Sequence, residues 1–215
     1  MISNGKFYES QFEEATIELL REAHWQYAFG DDIHRKYTDP LIEEDLRNFL
    51  AVQYKDKNLT TSEMDSIVAN LRNTGGQNDY YALRNTFLLY RDGYDFAYSD
   101  GRSNPFRLEY IDFEHPVHNI FRCVNQFVME QGRENRRPDI LLFINGIPVC
   151  IIELKNPTKQ NATIHDAHTQ ICTRYMRDIP ALLKYCALAV ISDGAKNALG
   201  ATYTCLLYTS DAADE

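Results

Sequence analysis

Apolar residues in the first third of the chain recur at helical spacing. Over positions 8–27, YESQFEEATIELLREAHWQY, the residues Phe12, Ala15, Leu19, Leu20 and Ala23 fall on one side, which predicts an amphipathic helix. Leu41–Tyr54 predicts a second helix. Thr60 and Glu63 have the spacing of a capping box in front of a third, running to about Arg72. Positions 75–79, GGQND, read as a loop. From 80 to 115, many Tyr and Phe residues interrupted by Gly93, Gly101 and Pro105 predict short strands and turns. The pattern then changes. Asn119–Met129 mixes β-branched and aromatic residues and reads as a strand, followed by strands over 139–144 and 148–155. A helix over 164–178 follows, with the stripe Ile164, Ala167, Ile171, Cys172 and Tyr175, stopped at Pro180. Cys186–Ser192 is almost wholly apolar, as a strand covered on both faces would be. The order β-β-β-α-β behind N-terminal helices implies an α/β fold, a mixed central sheet flanked by helices.

The stretch RPDILLFINGIPVCIIELKNP, positions 137–157, sets two acids and an amine among apolar neighbours. Asn145-Gly146 is a hairpin signal that allows two registers. With a two-residue loop Ile144 faces Ile147, and Asp139 and Glu153 point to opposite faces of the sheet. With a three-residue loop, or with a bulge, Asp139 faces Glu153. Their Cβ atoms are then roughly 4.5–5.5 Å apart, and Lys155, two residues on, shares the face. Facing carboxylates destabilise a sheet. A divalent cation removes that cost, and Mg²⁺ is suited to one or two carboxylates with water and phosphate oxygens. The plainer alternative has both acids solvated at strand ends, with Lys155 as an ion-pair partner.

Composition narrows the class. The chain has 215 residues, 44% hydrophobic and 25% charged, which fits one globular domain of about 1–204 with a helical part over 1–75 and an α/β core over about 105–200. No apolar run approaches the ~18 residues of a membrane helix. The polar, acidic start does not read as a secretory signal. Five scattered cysteines, without a Cys-x-x-Cys pair, suggest reduced thiols in a cytoplasmic protein. A net charge of −9 is unlike a protein that grips nucleic acid with its whole surface. Yet positions 133–160 hold five basic residues, Arg133, Arg136, Arg137, Lys155 and Lys159, against three acids, a local rim able to steer a polyanion. The tail 205–215, CLLYTSDAADE, lacks periodicity and reads as non-native sequence or as the end of a truncation.

Pro138-Asp139, thirteen residues, then Glu153-Leu154-Lys155 resembles the PD-(D/E)xK nuclease motif. The wider blocks YIDFEHPVHNIFRCVNQF, RRPDILLFINGIPVCIIELKNP, QICTRYMRDIPALLKY and AVISDG resemble, in order, the N-terminal nuclease region of the R subunit of type I restriction enzymes. The resemblance implies a restriction-endonuclease-like core and a type I site-specific deoxyribonuclease. Its implied site comprises Asp139 and Glu153 as Mg²⁺ ligands and Lys155 as catalytic lysine. A Gln…Tyr motif on the next helix maps to Gln170 and Tyr175. The family spacing is Q-x-x-x-Y and this chain has Q-x-x-x-x-Y; an ideal α-helix sets residues five apart about 140° from one another. Gln170 is thus the expected site residue, and Tyr175 fits core and site equally. An acid of the first helix often completes the metal site, with Glu13 the candidate among Glu9, Glu14 and Glu18. The resemblance also implies double-stranded DNA and the modification and specificity subunits as partners. ATP belongs to a motor region: this chain has no G-x-x-x-x-G-K-[ST] phosphate loop.

Arg136 and Arg137 are candidate phosphate contacts beside the acids, and Asn125 and Gln126 are candidate DNA contacts on the preceding strand. His165 with His168 and His115 with His118 have spacings that can serve Zn²⁺, but no cysteine or acid is read at ligand spacing beside either pair. A stand-alone repair or resolvase-type nuclease is one competing reading. A non-catalytic DNA or subunit docking module is the other, although such a module gains nothing from facing carboxylates.

Overall fold

The computed structural model describes residues 9–155, 168–194 and 196–202, and the backbone of 207–211. A seven-stranded mixed sheet runs through the molecule in the order β1-β4-β7-β8-β9-β10-β11. Its strands are β1 (Gln26–Phe29), β4 (Phe121–Asn125), β7 (Ile140–Ile144), β8 (Ile147–Leu154), β9 (Leu188–Ser192), β10 (Lys196–Ala201) and β11 (Leu207–Asp211). Two small ribbons lie outside it: β2 (Tyr94–Phe96) with β3 (Phe106–Leu108), and β5 (Met129–Gln131) with β6 (Glu134–Arg136).

Helix α1 (Glu9–Glu22) covers one face, where Ile17 meets Cys123, Ile140, Cys150, Ile152 and Leu154. The other face is covered by the helical stretch α5 (170–178) and the short helix Pro180–Leu183; Ile171, Tyr175 and Leu182 pack there on Leu141, Phe143, Ile151 and Ile191. Helices α2 (Glu43–Gln53) and α3 (Thr61–Asn73) form a third cluster around the turn end of β7–β8, with Ile147 and Tyr185 inside it. Among the described residues no helix is long and apolar enough to cross a membrane.

Several expectations need correcting. The helix read over 8–27 stops at Glu22, His24 takes a left-handed φ of 68°, and Gln26–Phe29 becomes an edge strand parallel to β4. The aromatic-rich stretch after position 79 is first a helix, α4 (Asp79–Asp92), and only then strands. Its signals are present in hindsight: the Asn78 side chain accepts from the Tyr81 amide, Gly93 ends it at a positive φ, and Leu83, Thr86 and Tyr90 form a buried helical stripe. The strand read over 119–129 is interrupted at Gln126, whose φ is 55°. The capping box is formed as expected, with Glu63 N–H donating to Thr60 Oγ1 and Thr60 N–H to Glu63 Oε2. Within the tail, Leu207–Asp211 pairs antiparallel with β10.

Candidate active site

The β7–β8 hairpin starts from a tight turn. Asn145 and Gly146 both have positive φ, 51° and 74°, and Ile144 pairs with Ile147. That is the two-residue loop of a type I′ turn. The Asn145 side chain is fully buried; Oδ1 accepts from the Ile120 amide, and Nδ2 donates to the Tyr110 carbonyl and to Asn119 Oδ1. From this turn alone Asp139 and Glu153 would diverge. A bulge intervenes: Phe143 pairs with Pro148 and Leu142 with Cys150, which leaves Val149 as the extra residue on β8. Pro148, lacking an amide donor, sits beside the irregularity, where a strand proline is tolerated. Ile140 now pairs with Ile152, and one further step sets Asp139 opposite Glu153.

The consequences are electrostatic. Asp139 Oδ2 accepts from the Leu154 amide at 2.7 Å. Glu153 is fully buried, and its Oε1 has no hydrogen-bond partner among the described residues. Burial, reinforced by the Asp139 charge, pushes the Glu153 carboxyl up to about 8, against smaller lowering effects of Lys155 and Tyr175. Lys155 Nζ stands 3.4 Å from Glu153 Oε2 and 3.0 Å from Gln170 Oε1. Gln170 Nε2 donates to Glu153 Oε2 at 2.8 Å and to the Tyr175 hydroxyl at 2.7 Å. Asp139, Glu153, Lys155, Gln170 and Tyr175 thus form one contiguous polar cluster in an otherwise apolar interior.

The wide Gln170–Tyr175 spacing is absorbed by the backbone. Gln170–Tyr175 is a π-helical stretch, continued by an α turn over Met176–Asp178. A π turn closes i to i+5, so residues five apart lie on one side. The 140° separation expected of an α-helix does not apply, and Tyr175 is both core and cluster: its ring is 3% exposed and packs in the α5-side core.

The profile of the family described as Type I restriction enzyme R protein N terminus matches residues 6–204. The chain belongs to this family. It is 32% identical over 203 residues to the type I restriction enzyme HindI endonuclease subunit of Haemophilus influenzae, an alignment covering 89% of this chain. A chain assigned as the type I restriction enzyme MjaIXP endonuclease subunit of Methanocaldococcus jannaschii is 31% identical over 196 residues, covering 87%. The chain spans 19% of the length of each relative.

Other anticipated residues of this R-protein N-terminal region lie apart from the cluster. Glu13 accepts from Asn125 Nδ2 at 2.9 Å and Gln126 Nε2 at 3.1 Å. Asn125 pairs with Ile140, whose side chain belongs to the α1 face, whereas Glu153 alternates with Ile152 and lies on the α5 face. The left-handed Gln126 backbone, fixed by its amide donating to the Asp139 carbonyl, aims its side chain at Glu13. Arg136 is engaged by Asp178, which is buried, and by Glu134, so it ties β6 to α5. Arg137 is exposed. His165 lies outside the described residues. His115 and His118 do have an acid beside them: Asp112, three residues before His115, brings a carboxylate to both, and the repeated spacing of three is its signal in the sequence.

The π turn makes a counterintuitive prediction. Deleting the exposed Thr173 restores a four-residue spacing that an α-helix can accommodate, so the fold and the Glu153–Gln170–Tyr175 contacts should survive. Inserting alanine at the same point should break those contacts and lower the melting temperature by misplacing Tyr175 in the core. Deletion as harmful as insertion to the melting temperature would show that the π turn is not absorbing an extra residue.

Proposed function

We propose that this chain is the DNA-cleaving part of a type I restriction endonuclease subunit and hydrolyses phosphodiester bonds of double-stranded DNA with Mg²⁺. The single observation that carries the reading is Glu153. A fully buried carboxyl with one oxygen lacking a partner among the described residues, facing a second carboxylate, is costly to ionise unless a cation joins it. Oxygen donors of this kind suit Mg²⁺. Asp139 and Glu153 would hold it. When bound, the ion would polarise the phosphodiester and lower the pKa of a water.

The chain's own groups supply the rest. The Leu154 amide holds Asp139 Oδ2, and Gln170 holds Glu153 Oε2, which leaves Glu153 Oε1 free for a cation. Lys155, steered by Gln170 Oε1, places its ammonium beside the carboxylate, where it orients a nucleophilic water and stabilises charge developing on the phosphate. Arg137 is exposed beside Asp139 and is suited to a DNA phosphate. Asn125 and Gln126, already engaged with Glu13, form a polar shelf on the opposite side. Modification and specificity subunits would supply site choice in the cytoplasm, and the ATP-driven motor would lie in sequence beyond this chain.

Supercoiled plasmid, incubated with the chain, should be nicked with Mg²⁺ and left intact in EDTA or by Asp139→Ala. DNA binding without Mg²⁺-dependent cleavage, persisting when the chain works in the assembled complex, would overturn the reading in favour of a docking module.

A further inference from the structure

We propose that Asp112, His115 and His118 form a second metal site, selective for a transition-metal dication of the zinc class. The three lie in a D-x-x-H-x-x-H stretch that ends in a 3₁₀ turn, Pro116–His118. His115 caps that turn in a non-helical conformation, and the His118 amide donates to its carbonyl. The two imidazoles stack, with centroids 5.1 Å apart and planes at 24°. Both turn a nitrogen to the same carboxylate: His118 Nδ1 is 2.9 Å from Asp112 Oδ2, and His115 Nδ1 is 3.7 Å from Asp112 Oδ1. One ligand atom from each residue lies within 4.8 Å of the others, and among the described residues this is the one group of three such side chains. Ligand atoms about a tetrahedral ion with bonds near 2.0–2.1 Å are roughly 3.3 Å apart, so little movement is required. A hydrogen bond to His118 accounts for half of this arrangement. His115, exposed, meets the other carboxylate oxygen through its own amide, which donates to Asp112 Oδ1 at 2.8 Å and sets the ring beside it.

The donor set decides the class of ion. Two imidazole nitrogens with one carboxylate oxygen suit Zn²⁺, Co²⁺, Ni²⁺ or Cu²⁺ and not Mg²⁺. Three protein ligands leave a coordination position open to water. The support is rigid. Asp112 is buried, its amide donates to Asn119 Oδ1, Asn119 Nδ2 donates to its carbonyl, and Gln53 Nε2 approaches Oδ2 at 3.3 Å. Such outer contacts orient ligands and strengthen a site. The imidazoles, 62% and 52% exposed, leave an entry path. Asn119 is joined to Asn145 at the hairpin turn, the opposite end of β7 from Asp139. Five strand residues separate those ends by roughly 17 Å. The two metal sites are therefore distinct.

Co²⁺ is the probe, titrated into the chain in an Asp139→Asn, Glu153→Gln background that silences the first site. One equivalent should bind with visible d–d absorption. His115→Gln or His118→Gln should each weaken binding by at least about tenfold, and together they should abolish it. The far-ultraviolet circular dichroism should be unchanged, because both rings are on the surface. Unaltered binding in the double histidine variant would overturn the proposal. So would a thiolate-to-cobalt band lost on Cys172→Ser, which would place the ion at His168 and Cys172, whose Nε2 and Sγ are 3.4 Å apart.

Discussion

Glu153→Gln is expected to make the metal-free chain more stable above pH 8 while lowering the proposed Mg²⁺-dependent DNA cleavage by on the order of 10³. The two effects have one cause. Glu153 is completely buried, and its carboxyl is pushed from 4.5 to about 8, first by desolvation and then by Asp139. The folded chain therefore holds a proton on Glu153 in a range where the unfolded chain has released it. Stability contributed by the protonated group is complete below about 4.5 and declines as pH rises through about 8. Each unit of displacement corresponds to about 1.4 kcal/mol, so the loss is on the order of a few kcal/mol. Glutamine has the shape of the protonated acid and never ionises. Melting temperatures of the two proteins in EDTA should coincide below about pH 4.5, separate as pH rises from there to about 8, and change little beyond. Mg²⁺ should raise the melting temperature of the parent at pH 8.5 and do little for the variant. Parallel pH profiles in EDTA would mean that Glu153 is not a strained, proton-holding carboxylate.

Gly146→Ala should destabilise the chain by roughly 3–5 kcal/mol, combining the cost of a left-handed residue with overpacking. Gly146 has a φ of 74°, and a β-carbon built there would lie 2.1 Å from the Ile42 carbonyl oxygen and 3.1 Å from the Leu46 amide. Its own carbonyl accepts from the Ile42 amide at 2.9 Å, so the turn is clamped to the start of α2. Neither side of that contact can retreat without opening the third cluster. Gly132 is the control. Its φ of 64° is similar, but a β-carbon there meets nothing within 4 Å, so Gly132→Ala should cost only the conformational term, about 1 kcal/mol. Urea midpoints compare them directly. Equal losses would show that backbone conformation alone, without the approach to α2, accounts for Gly146.

Much of the site was legible in the primary structure because its signals are local. Asn145-Gly146 announces a tight turn whatever surrounds it, and Glu153-x-Lys155 puts two side chains on one face of any strand. The capping box at Thr60 and Glu63 closes within four residues, and the apolar run at Cys186–Ser192 marks a strand covered on both faces. The failures were not local. Tyr-rich α4 resembles strand by composition and is a helix whose buried side carries Leu83, Thr86 and Tyr90. Gln26–Phe29 is a strand only because β4 lies beside it. Asp112, by contrast, is local to His115 and His118 at a repeated spacing of three, and the tertiary structure adds only its burial through Asn119 and Asn145.

By itself, then, the amino-acid order determined the positions of Asp139, Glu153 and Lys155, the turn between the two acids and the helices and strands with strong caps or uniform patterning. Tertiary structure decided two things that local rules leave open. The bulge at Val149 sets Asp139 against Glu153 although the turn alone would separate them, because the turn is held by α2 and both strands must still bury their apolar faces. The π turn brings Tyr175 to Gln170 because the core holds Ile171 and Tyr175 while the cluster holds Gln170, and one surplus residue has to be absorbed between those anchors. In both places a one-residue irregularity is retained because packing on either side of it is stronger than the preference of the backbone for regularity.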